Sequence, residues 1–420
     1  MNSALEQILQ RIHETQGCPG FLDVLFRENK ELVQQGTPVV LYGAGACGAE
    51  LCSTLRIHGI RPVCFCDSGE SQSTTYCDIP LIPFDTLTSI YRDALIVVAS
   101  HKFQKQITDR LLDEGFSADR VHCKPSDTDS SLVYMYSMVG THALIESYQI
   151  VSKPKNVLQI YKDHQEDIQA AYNLLSDDHS KGLFISKLAL LASEGRFELF
   201  KAFIQTYSQP LLEFGCGNYE GTPEDYYYFN NDVLTLAEGE VLIDVGAYDG
   251  DTVETFVKAC EKRGVHYRSI HAFEPDPHCY QALLTNTKGL SNIVCRPLGV
   301  WSQSQTLRFN SSENALHDQA GAIDHTGNIE IQVVSLDDYL QDVKPTFIKM
   351  DPGGNVIMQA LEGASRTISS CKPKLALGAY HGPKSMFEIP LLVNRLCPDY
   401  RIFLRHNTFH LCDTDLLATL

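Results

Sequence analysis

Short apolar runs alternate with stretches of helical periodicity over the first 125 residues, and the apolar runs predict buried strands. A helix is predicted from about 103 to 114. The predicted strands are Pro38–Tyr42, Pro62–Cys66 and Ala94–Val98. Strands that alternate with helices are typical of a parallel sheet, so residues 1–125 predict a small Rossmann-like domain.

Helical periodicity without strands marks two other stretches of the chain. Met1 to Lys30 has the pattern of one amphipathic helix, with apolar side chains on one side at Leu5, Ile8, Leu9 and Ile12. After a polar break at Ser126–Ser131, residues 140–207 again have helical periodicity. We therefore assign residues 126–234 to a helical connector.

From about Val233 the pattern returns to strands that alternate with helices. A terminal hairpin of Tyr400–Leu404 and Thr408–Cys412 follows the last helix. The strands before it are predicted at Val241–Val245, Ser269–Phe273, Asn292–Pro297, Phe347–Met350 and Lys374–Ala379. Residues 235–420 therefore predict a second α/β domain, a doubly wound sheet with one reversed strand.

The charge balance excludes some partners. The chain of 420 residues has 34 Lys and Arg against 52 Asp and Glu, a net charge of −18, which disfavours contact with a nucleic-acid backbone. No apolar run has transmembrane length, and no signal segment is evident at the start. We expect a cytoplasmic protein without a membrane or nucleic-acid partner.

The 14 cysteines are scattered singly, apart from Cys64 and Cys66 on one predicted strand. No Cys-x-x-Cys and no paired Cys/His spacing occurs, so the cysteines are interpreted as small buried hydrophobic residues in a reducing compartment. We expect neither a metal site nor a catalytic thiol.

The first domain contains a complete Gly-x-Gly-x-x-Gly at Gly43, Gly45 and Gly48, between a predicted strand and a helix. Asp67 ends the second strand and could accept a ribose hydroxyl. The loop itself has no acid, so it would tolerate phosphate. Two interpretations stay open: a nucleotide site, or glycines that only permit a tight turn and close packing.

The glycine loop of the second domain, at Gly246 and Gly250, has the opposite charge. Asp244, Asp249 and Asp251 stand where a phosphate would bind, and carboxylates repel phosphate but attract a cation. S-adenosylmethionine is a nucleoside ligand with a sulfonium and an ammonium group and no phosphate, so the loop predicts a methyltransferase. The alternative is that Asp251 caps the helix, because Asp251 and Glu254 have capping-box spacing.

The second strand of this domain ends in Ala272-Phe-Glu-Pro-Asp276. Glu274 therefore lies at the carboxyl edge of the sheet beside the glycine loop, where a carboxylate can accept both ribose hydroxyls of an adenosine. The contacts expected for the methyl donor are Asp244, Gly246, Ala247, Tyr248, Gly250, Asp251, Thr252 and Glu274.

With these motifs, residues from about 235 to 420 resemble the FkbM family of S-adenosylmethionine-dependent methyltransferases. The resemblance rests on Asp244–Thr252, Phe273–Pro275, Leu336–Asp338, Phe347–Asp351, Lys372–Leu375 and Tyr380–His381, and it extends to Leu174–Asp178 and to an N-terminal Rossmann-like domain. It implies a seven-stranded class I methyltransferase sheet. It also implies methylation of a hydroxyl group on a sugar, a polysaccharide precursor or a natural product.

The chain departs from the family after the fourth strand of this domain. There the family usually has two glutamates, whereas Asp351 is followed here by Pro352-Gly-Gly-Asn355. Asp351 and His381 are the candidates for a general base, since both follow strands at the carboxyl edge. The alternative for His381 is a histidine that is hydrogen-bonded in a loop.

Other residues have structural or substrate-binding interpretations. Lys349 is expected to have a structural partner within its strand, and Asp337 and Asp338 to open a short helix. Arg405 and His406 could contact an anionic acceptor. The consecutive aromatic residues Tyr226–Phe229 either line a ligand site or pack as an irregular strap.

The sequence therefore predicts an S-adenosylmethionine-dependent O-methyltransferase that acts on a carbohydrate or other small-molecule acceptor. One alternative is a protein that binds the donor but has lost the chemistry. Another is that the N-terminal domain binds NAD or a nucleotide sugar at its glycine loop. The identity of the acceptor is left open by the sequence, and so is self-association into a homo-oligomer.

Overall fold

A computed structural model gives the fold of the protein and describes residues 2–67, 74–100, 102–127, 129–137, 157–193, 195–207, 228–229, 231–311, 322–323, 326–352, 356–406 and 414–420. Statements about the structure refer to these residues.

The start of the chain forms three helices, so the prediction of one helix over Met1 to Lys30 was wrong. Helix α1 (Ala4–Glu14) begins with a capping box at Ser3 and Glu6. After it, Gly17 has φ +83°, a left-handed conformation that ends the helix. A short helix α2 (Phe21–Phe26), one turn of 3₁₀ helix and α3 (Lys30–Gln34) follow.

The first sheet has six strands in the order β3-β4-β2-β1-β5-β6. Its strands are β1 (Val39–Tyr42), β2 (Cys64–Cys66), β3 (Thr75–Tyr76), β4 (Ile79–Ile82), β5 (Leu95–Val98) and β6 (Val121–His122). All pairs are parallel except β3 with β4. Its helices are α4 (Ala46–Ile57), α5 (Phe84–Ile90) and α6 (Gln104–Asp113). The strands predicted here are present, with shorter bounds.

The connector contributes helices that pack on both sheets. They are α7 (Ser130–Met135), α8 (Val157–Asp163), α9 (Gln165–Leu174), α10 (Asp178–Ala192) and α11 (Phe197–Tyr207). Leu175 forms a parallel bridge with Ile402 at the edge of the C-terminal sheet. The hydroxyl of Ser176 accepts from the N–H of Ile402 at 3.0 Å, and that of Ser180 from the N–H of Leu404 at 2.9 Å. The connector therefore covers a sheet edge that would otherwise be unpaired.

The C-terminal sheet has seven strands in the order β16-β17-β15-β14-β7-β8-β9. They are β7 (Glu240–Val245), β8 (Tyr267–Phe273), β9 (Ile293–Arg296), β14 (Phe347–Met350), β15 (Lys374–Gly378), β16 (Arg401–His406) and β17 (Thr414–Thr419). Only β17 is reversed, because it pairs antiparallel with both β15 and β16. The helices are α12 (Asp251–Arg263), α13 (Pro277–Asn286), α14 (Leu336–Tyr339), α15 (Val356–Glu362), α16 (Ser365–Cys371) and α17 (Ser385–Leu396).

This order agrees with the doubly wound methyltransferase sheet with a terminal hairpin that the sequence predicts. The hairpin strand predicted at Thr408–Cys412 lies outside the described residues, and the reversed strand is β17. The predicted domain limits 1–125, 126–234 and 235–420 stay predictions.

A four-stranded sheet between β9 and β14 was not predicted. It has the order β10-β13-β11-β12 and consists of β10 (Gly299–Val300), β11 (Gln305–Asn310), β12 (Ala322–Ile323) and β13 (Ile329–Val334). A small separate core of Phe309, Ile331 and Val333 supports it.

Candidate active site

The glycine loop after β7 has two residues that require or favour glycine. Gly246 has φ +74°, and a Cβ on it would lie 2.8 Å from the carbonyl oxygen of Asp351. Gly250 has φ +95° and is the N-cap of α12. Tyr248 also has positive φ, +47°, which is uncommon for a residue with a side chain. The loop is thereby held tightly against the ends of β8 and β14.

Asp244 and Lys349 face each other on β7 and β14 and are almost completely buried. The Lys349 Nζ lies 3.1 Å from Oδ1 of Asp244, and it donates a hydrogen bond of 2.9 Å to the carbonyl oxygen of Gly246. Among the described residues, neither oxygen of Asp244 has a partner with hydrogen-bond geometry. Burial raises the pKa of Asp244 to about 6, although Lys349 opposes the rise. Lys349 thus has the structural partner that was expected.

The start of helix α12 does not agree with the alternative in which Asp251 caps the helix. Its N-cap is Gly250, so Asp251 is the first helical residue and not the cap. Asp249 takes part of that role, because its Oδ1 accepts from the N–H of Asp251 at 3.2 Å. Oδ1 of Asp251 accepts from the N–H of Thr252 at 2.6 Å. A glycine N-cap leaves the helix start without a side-chain cap, and both carboxylates lie at its positive end.

Glu274 follows β8 directly and is buried beside the same loop. Its Oε2 accepts from the N–H of Tyr248 at 2.9 Å, and its Oε1 accepts from the N–H of Asp276 at 2.8 Å. Burial raises the pKa of Glu274 to about 7 in spite of these two donors. Each carboxylate oxygen can accept more than one hydrogen bond, so capacity for a further donor is left.

Asp351, after β14, is the centre of a hydrogen-bonded cluster. Its Oδ1 lies 2.7 Å from Nε2 of His381. The Tyr380 hydroxyl donates to both carboxylate oxygens, at 2.9 and 2.8 Å, and the Tyr228 hydroxyl donates to Oδ2 at 3.2 Å. Burial by itself would raise the pKa of Asp351, but the hydrogen bond and charge of His381, the charge of Lys349 and the hydrogen bond from Tyr380 lower it to about 2.

The ionised state of Asp351 determines the tautomer of His381. A carboxylate without a proton can only accept, so Nε2 of His381 must carry the proton of this hydrogen bond. In the neutral imidazole, Nδ1 is then the atom that can accept a proton. The structure brings the two predicted base candidates into direct contact.

Two further residues of this edge are used structurally. The Arg405 guanidinium binds both oxygens of Asp232, at 2.8 and 2.7 Å, and Asp177 at 2.9 Å. The Nδ1 of His406 lies 2.9 Å from Oγ1 of Thr414. Arg405 is therefore neutralised by two carboxylates, which does not support the predicted contact with an anionic acceptor.

Asp337 and Asp338 lie in α14 as predicted, but the N-cap of that helix is Ser335, which accepts from the N–H of Asp338 at 3.2 Å. Asp337 instead accepts from the N–H groups of Arg366 and Thr367 at 2.9 and 2.8 Å. It thus caps α16 from outside that helix.

The N-terminal glycine loop resembles the loop after β7, because one of its N–H groups donates to the acid that follows the second strand. Oδ2 of Asp67 accepts from the N–H of Ala44 at 2.7 Å. A Cβ on Gly43 would lie 2.8 Å from the Ala99 carbonyl oxygen, and one on Gly48 would lie 2.1 Å from the Gly43 carbonyl oxygen. Close packing therefore explains these two glycines. It does not explain Gly45, since no atom lies within 4 Å of a Cβ placed there.

The family model of the methyltransferase FkbM domain matches residues 244–411, the part of the chain that holds this site. Residues 244–411 thus form an FkbM methyltransferase domain. This confirms the resemblance read from the sequence, and with it S-adenosylmethionine as the methyl donor of the domain. A comparison with curated proteins gives no significant match.

One solved structure has a similar fold over nearly the whole chain, including the part outside the FkbM domain. The crystal structure of methyltransferase FkbM from Methylobacillus flagellatus KT matches 99% of this chain and 99% of its own, at 20% identity and a TM-score of 0.60. Aeropyrum pernix fibrillarin in complex with natively bound S-adenosyl-L-methionine matches at 11% identity, 45% and 70% coverage and a TM-score of 0.28. Precorrin-6y C5,15-methyltransferase from Geobacter metallireducens GS-15 matches at 12% identity, 44% and 80% coverage and a TM-score of 0.27. The first match shows the fold; the other two scores are too low to carry an argument.

Within the FkbM domain, the structure collects the predicted donor residues around one loop and the two base candidates at the neighbouring strand ends. Gly353–Asn355, where the family glutamates are missing, lie outside the described residues, as do Tyr226 and Tyr227. Gly378 was not predicted from the sequence, and Tyr228 was predicted only as one of four consecutive aromatic residues. Tyr380 was part of the family motif, yet its contact with Asp351 has no local sequence signal.

Each helix in the described part of the chain is too short or too polar to span a lipid bilayer. Within the same residues, no group of three or more His, Cys, Asp or Glu side chains is arranged to hold a metal ion.

Proposed function

We propose that the protein is an S-adenosylmethionine-dependent O-methyltransferase whose acceptor is a hydroxyl of a sugar, a polysaccharide precursor or a natural product. The single observation that carries this proposal is the contact between ionised Asp351 and His381 at the carboxyl edge of an FkbM sheet. It supplies a proton acceptor beside an acidic donor loop.

The donor is assigned to the loop after β7 because the residues there fit a cationic ligand. Asp244 keeps two buried oxygens without hydrogen-bond partners among the described residues, and Asp249 and Asp251 add charge at the start of α12. We assign Glu274 as the acceptor of the ribose hydroxyls. Gly246, Ala247, Tyr248, Gly250 and Thr252 shape the loop around them.

S-adenosylmethionine supplies an electrophilic methyl group on a positively charged sulfur. A hydroxyl acceptor must lose its proton as its oxygen forms the new bond, and a well-placed base contributes roughly 10²–10⁴-fold to such a reaction. Nδ1 of His381 is the atom we assign to take this proton. Asp351 is a positioning residue, since it holds the imidazole by Nε2 and stabilises the charge that His381 gains.

Calorimetric titration with S-adenosylmethionine tests the donor assignment. Glu274→Ala removes up to two charge-assisted hydrogen bonds of about 1.5–3 kcal/mol each, so the affinity should fall at least tenfold. Glu330→Ala is the matched control, because Glu330 is an exposed strand glutamate paired with Arg308. Equal affinity in the wild type and Glu274→Ala would contradict the assignment.

The acceptor is tested with donor labelled on its methyl group, a panel of hydroxyl compounds and mass spectrometry of the products. His381→Ala should lower the rate roughly 10²–10⁴-fold while donor affinity is retained. Donor binding without transfer to any hydroxyl in the panel or in cell extract would favour the alternative of a binding protein that has lost the chemistry.

A second candidate function is nucleotide binding by the N-terminal domain at Gly43, Gly45, Gly48 and Asp67. The observation that favours it is the open space beside Gly45, together with a loop that has no acid in the first turn of α4. Thermal unfolding with NAD and with UDP-sugars tests it, because a ligand at 100 times its Kd stabilises a protein by about 2.7 kcal/mol. Unchanged unfolding temperatures would reject this candidate.

A further inference from the structure

Gly378, the last residue of β15, leaves a space that the carboxylate of Asp351 fills. A Cβ on Gly378 would lie 2.3 Å from Oδ1 of Asp351 and 3.2 Å from Cε1 of Tyr380. The backbone of Gly378 does not have positive φ, so its conformation is open to any residue. Glycine is therefore required at this position because a side chain would collide with Asp351, and not because of the backbone conformation.

The two tyrosines hold the same carboxylate from two other directions. Tyr380 lies two residues beyond Gly378 and donates to both oxygens of Asp351. Tyr228 precedes β7 and reaches Asp351 across 123 positions of sequence. Its ring also lies 5.7 Å from the Nζ of Lys349. Tyr228 thus lies between the buried ammonium of Lys349, which is next to the loop assigned to the methyl donor, and the carboxylate of Asp351, which contacts His381.

These contacts determine which proton acceptor the site presents. A carboxylate that already accepts from two phenols and one imidazole has little remaining capacity to act as a base. It can still fix the imidazole by Nε2, as an orienting carboxylate does in a hydrolase triad. The role of Asp351 therefore depends on its being held in this one position.

We propose that Tyr228, Tyr380 and the missing side chain of Gly378 form a clamp that fixes Asp351 as the orienting anion of His381 and leaves Nδ1 of His381 as the base. We name these three residues the Asp351 clamp. Its catalytic meaning rests on the function proposed above, but its geometry can be tested without an acceptor.

The first experiment reads the His381 tautomer by NMR of protein labelled with ¹⁵N-histidine. The chain has 15 histidines, and the His381 signals are assigned by their loss in His381→Gln. We expect the wild type to show a proton on Nε2 and none on Nδ1. Tyr380→Phe, Tyr228→Phe and Gly378→Ala should each add the other tautomer or broaden the signals.

Two variants serve as matched controls. Tyr267→Phe removes an exposed phenol that donates to the Ser291 carbonyl oxygen in the same domain. Gly20→Ala adds a methyl group at ordinary contact distance, 3.4 Å from Asp23. Neither should change the His381 signals. A wild-type proton on Nδ1, or signals unaltered in all three clamp variants, would overturn the proposal.

A second experiment is a double-mutant cycle on thermal unfolding. Gly378→Ala should lower the Tm by roughly 2–10 °C, as expected for overpacking, because the new methyl group collides with the carboxylate. In the Asp351→Ala background the collision with the carboxylate is absent and only the approach of 3.2 Å to Tyr380 is left, so the same substitution should cost clearly less. Equal losses of Tm in both backgrounds would show that the space at Gly378 does not serve Asp351.

The two proposals fail in different ways. If labelled donor is never transferred to a hydroxyl while the tautomer responds to the clamp variants, the O-methyltransferase proposal is wrong and the clamp stands. If transfer occurs and the clamp variants leave the His381 tautomer unaltered, the clamp is wrong and the transferase stands.

Discussion

The two glycine loops of this protein make the same kind of backbone hydrogen bond but differ in charge. In each, an acid directly after the second strand accepts a hydrogen bond from a loop N–H: Asp67 from Ala44 and Glu274 from Tyr248. The strand positions beneath them differ. Leu41 pairs with Val97 in the first domain, whereas Asp244 pairs with Lys349 in the second. The two loops therefore share this hydrogen bond and differ in the residue pair beneath it, which is apolar in the first domain and ionic in the second.

Replacement of Asp244 and Lys349 by the apolar residues of the N-terminal domain should have the largest effect and tests this comparison directly. Asp244→Leu leaves the Lys349 ammonium buried without its counter-ion, so the free energy of unfolding should fall by about 3–5 kcal/mol. The double variant Asp244→Leu, Lys349→Val installs the pair of the N-terminal domain and should recover most of this loss without recovering donor affinity. Urea unfolding and calorimetry measure the two effects. A double variant as unstable as the single one would contradict this account.

The next largest effect should be a change of stability with pH, and it should come from Glu274. Its pKa of about 7 in the folded protein is above the 4.5 of an ordinary glutamate, because burial disfavours the charged form. Between pH 4.5 and 7 the folded state therefore holds a proton on Glu274 that the unfolded state lacks. The stabilisation from this proton is complete below pH 4.5 and is lost as the pH rises through 7. The loss is about 3 kcal/mol.

Urea unfolding of the wild type and Glu274→Gln from pH 4.5 to 8 isolates this contribution. The difference between the two proteins should shrink or change sign over this window, since the amide does not titrate. Donor affinity should move the other way, because the ionised carboxylate is the better acceptor for ribose hydroxyls. Parallel pH curves for the two proteins would refute the assignment.

Gly48 tests the packing part of the N-terminal loop. The added methyl group of Gly48→Ala meets the Gly43 carbonyl oxygen at 2.1 Å and the Phe65 ring at 3.0 Å. Overpacking of this kind costs about 1–3 kcal/mol. Denaturant unfolding should show this loss, and calorimetry should show unchanged affinity for S-adenosylmethionine. An equal loss of donor affinity would mean that the two loops are coupled.

Gly45 gives the smallest expected effect. Because the space beside it is open, Gly45→Ala should change the free energy of unfolding by no more than about 0.5 kcal/mol. If the loop binds a nucleotide, the same variant should nevertheless weaken the stabilisation of the protein by NAD or a UDP-sugar. A large loss of stability without ligand would return Gly45 to the packing interpretation.

The sequence predicted those parts of the molecule that depend on local pattern. Buried strands such as β7 and β14 are short runs of mostly apolar residues. An acid near the end of such a strand, or directly after it, places Asp244, Glu274 and Asp351 at one edge. The four-stranded sheet was missed because β10 and β12 have two residues each and the longer β11 and β13 are half-exposed, as the alternating burial of β11 shows. The opening helix was overextended, since Gly17 and Gly20 were not taken as breaks.

Contacts between distant segments gave no signal in the sequence. Tyr228 and Asp351 are 123 positions apart, and Arg405 and Asp177 are 228 apart. No periodicity links such pairs, because they meet only after the connector has packed on the sheet. The sequence therefore identified His381 and Asp351 as candidates but not the surroundings that give them different roles.

The junction of the connector with β16 has a practical consequence for work on the isolated transferase. A truncated protein that begins near residue 228 would retain the donor loop and lose Ser176 and Ser180, which bind the outer backbone of Ile402 and Leu404. Its bare strand would be a template for intermolecular pairing and precipitation. The shortest well-behaved transferase should therefore begin before Leu175 and include α10, far upstream of the residues that carry the chemistry.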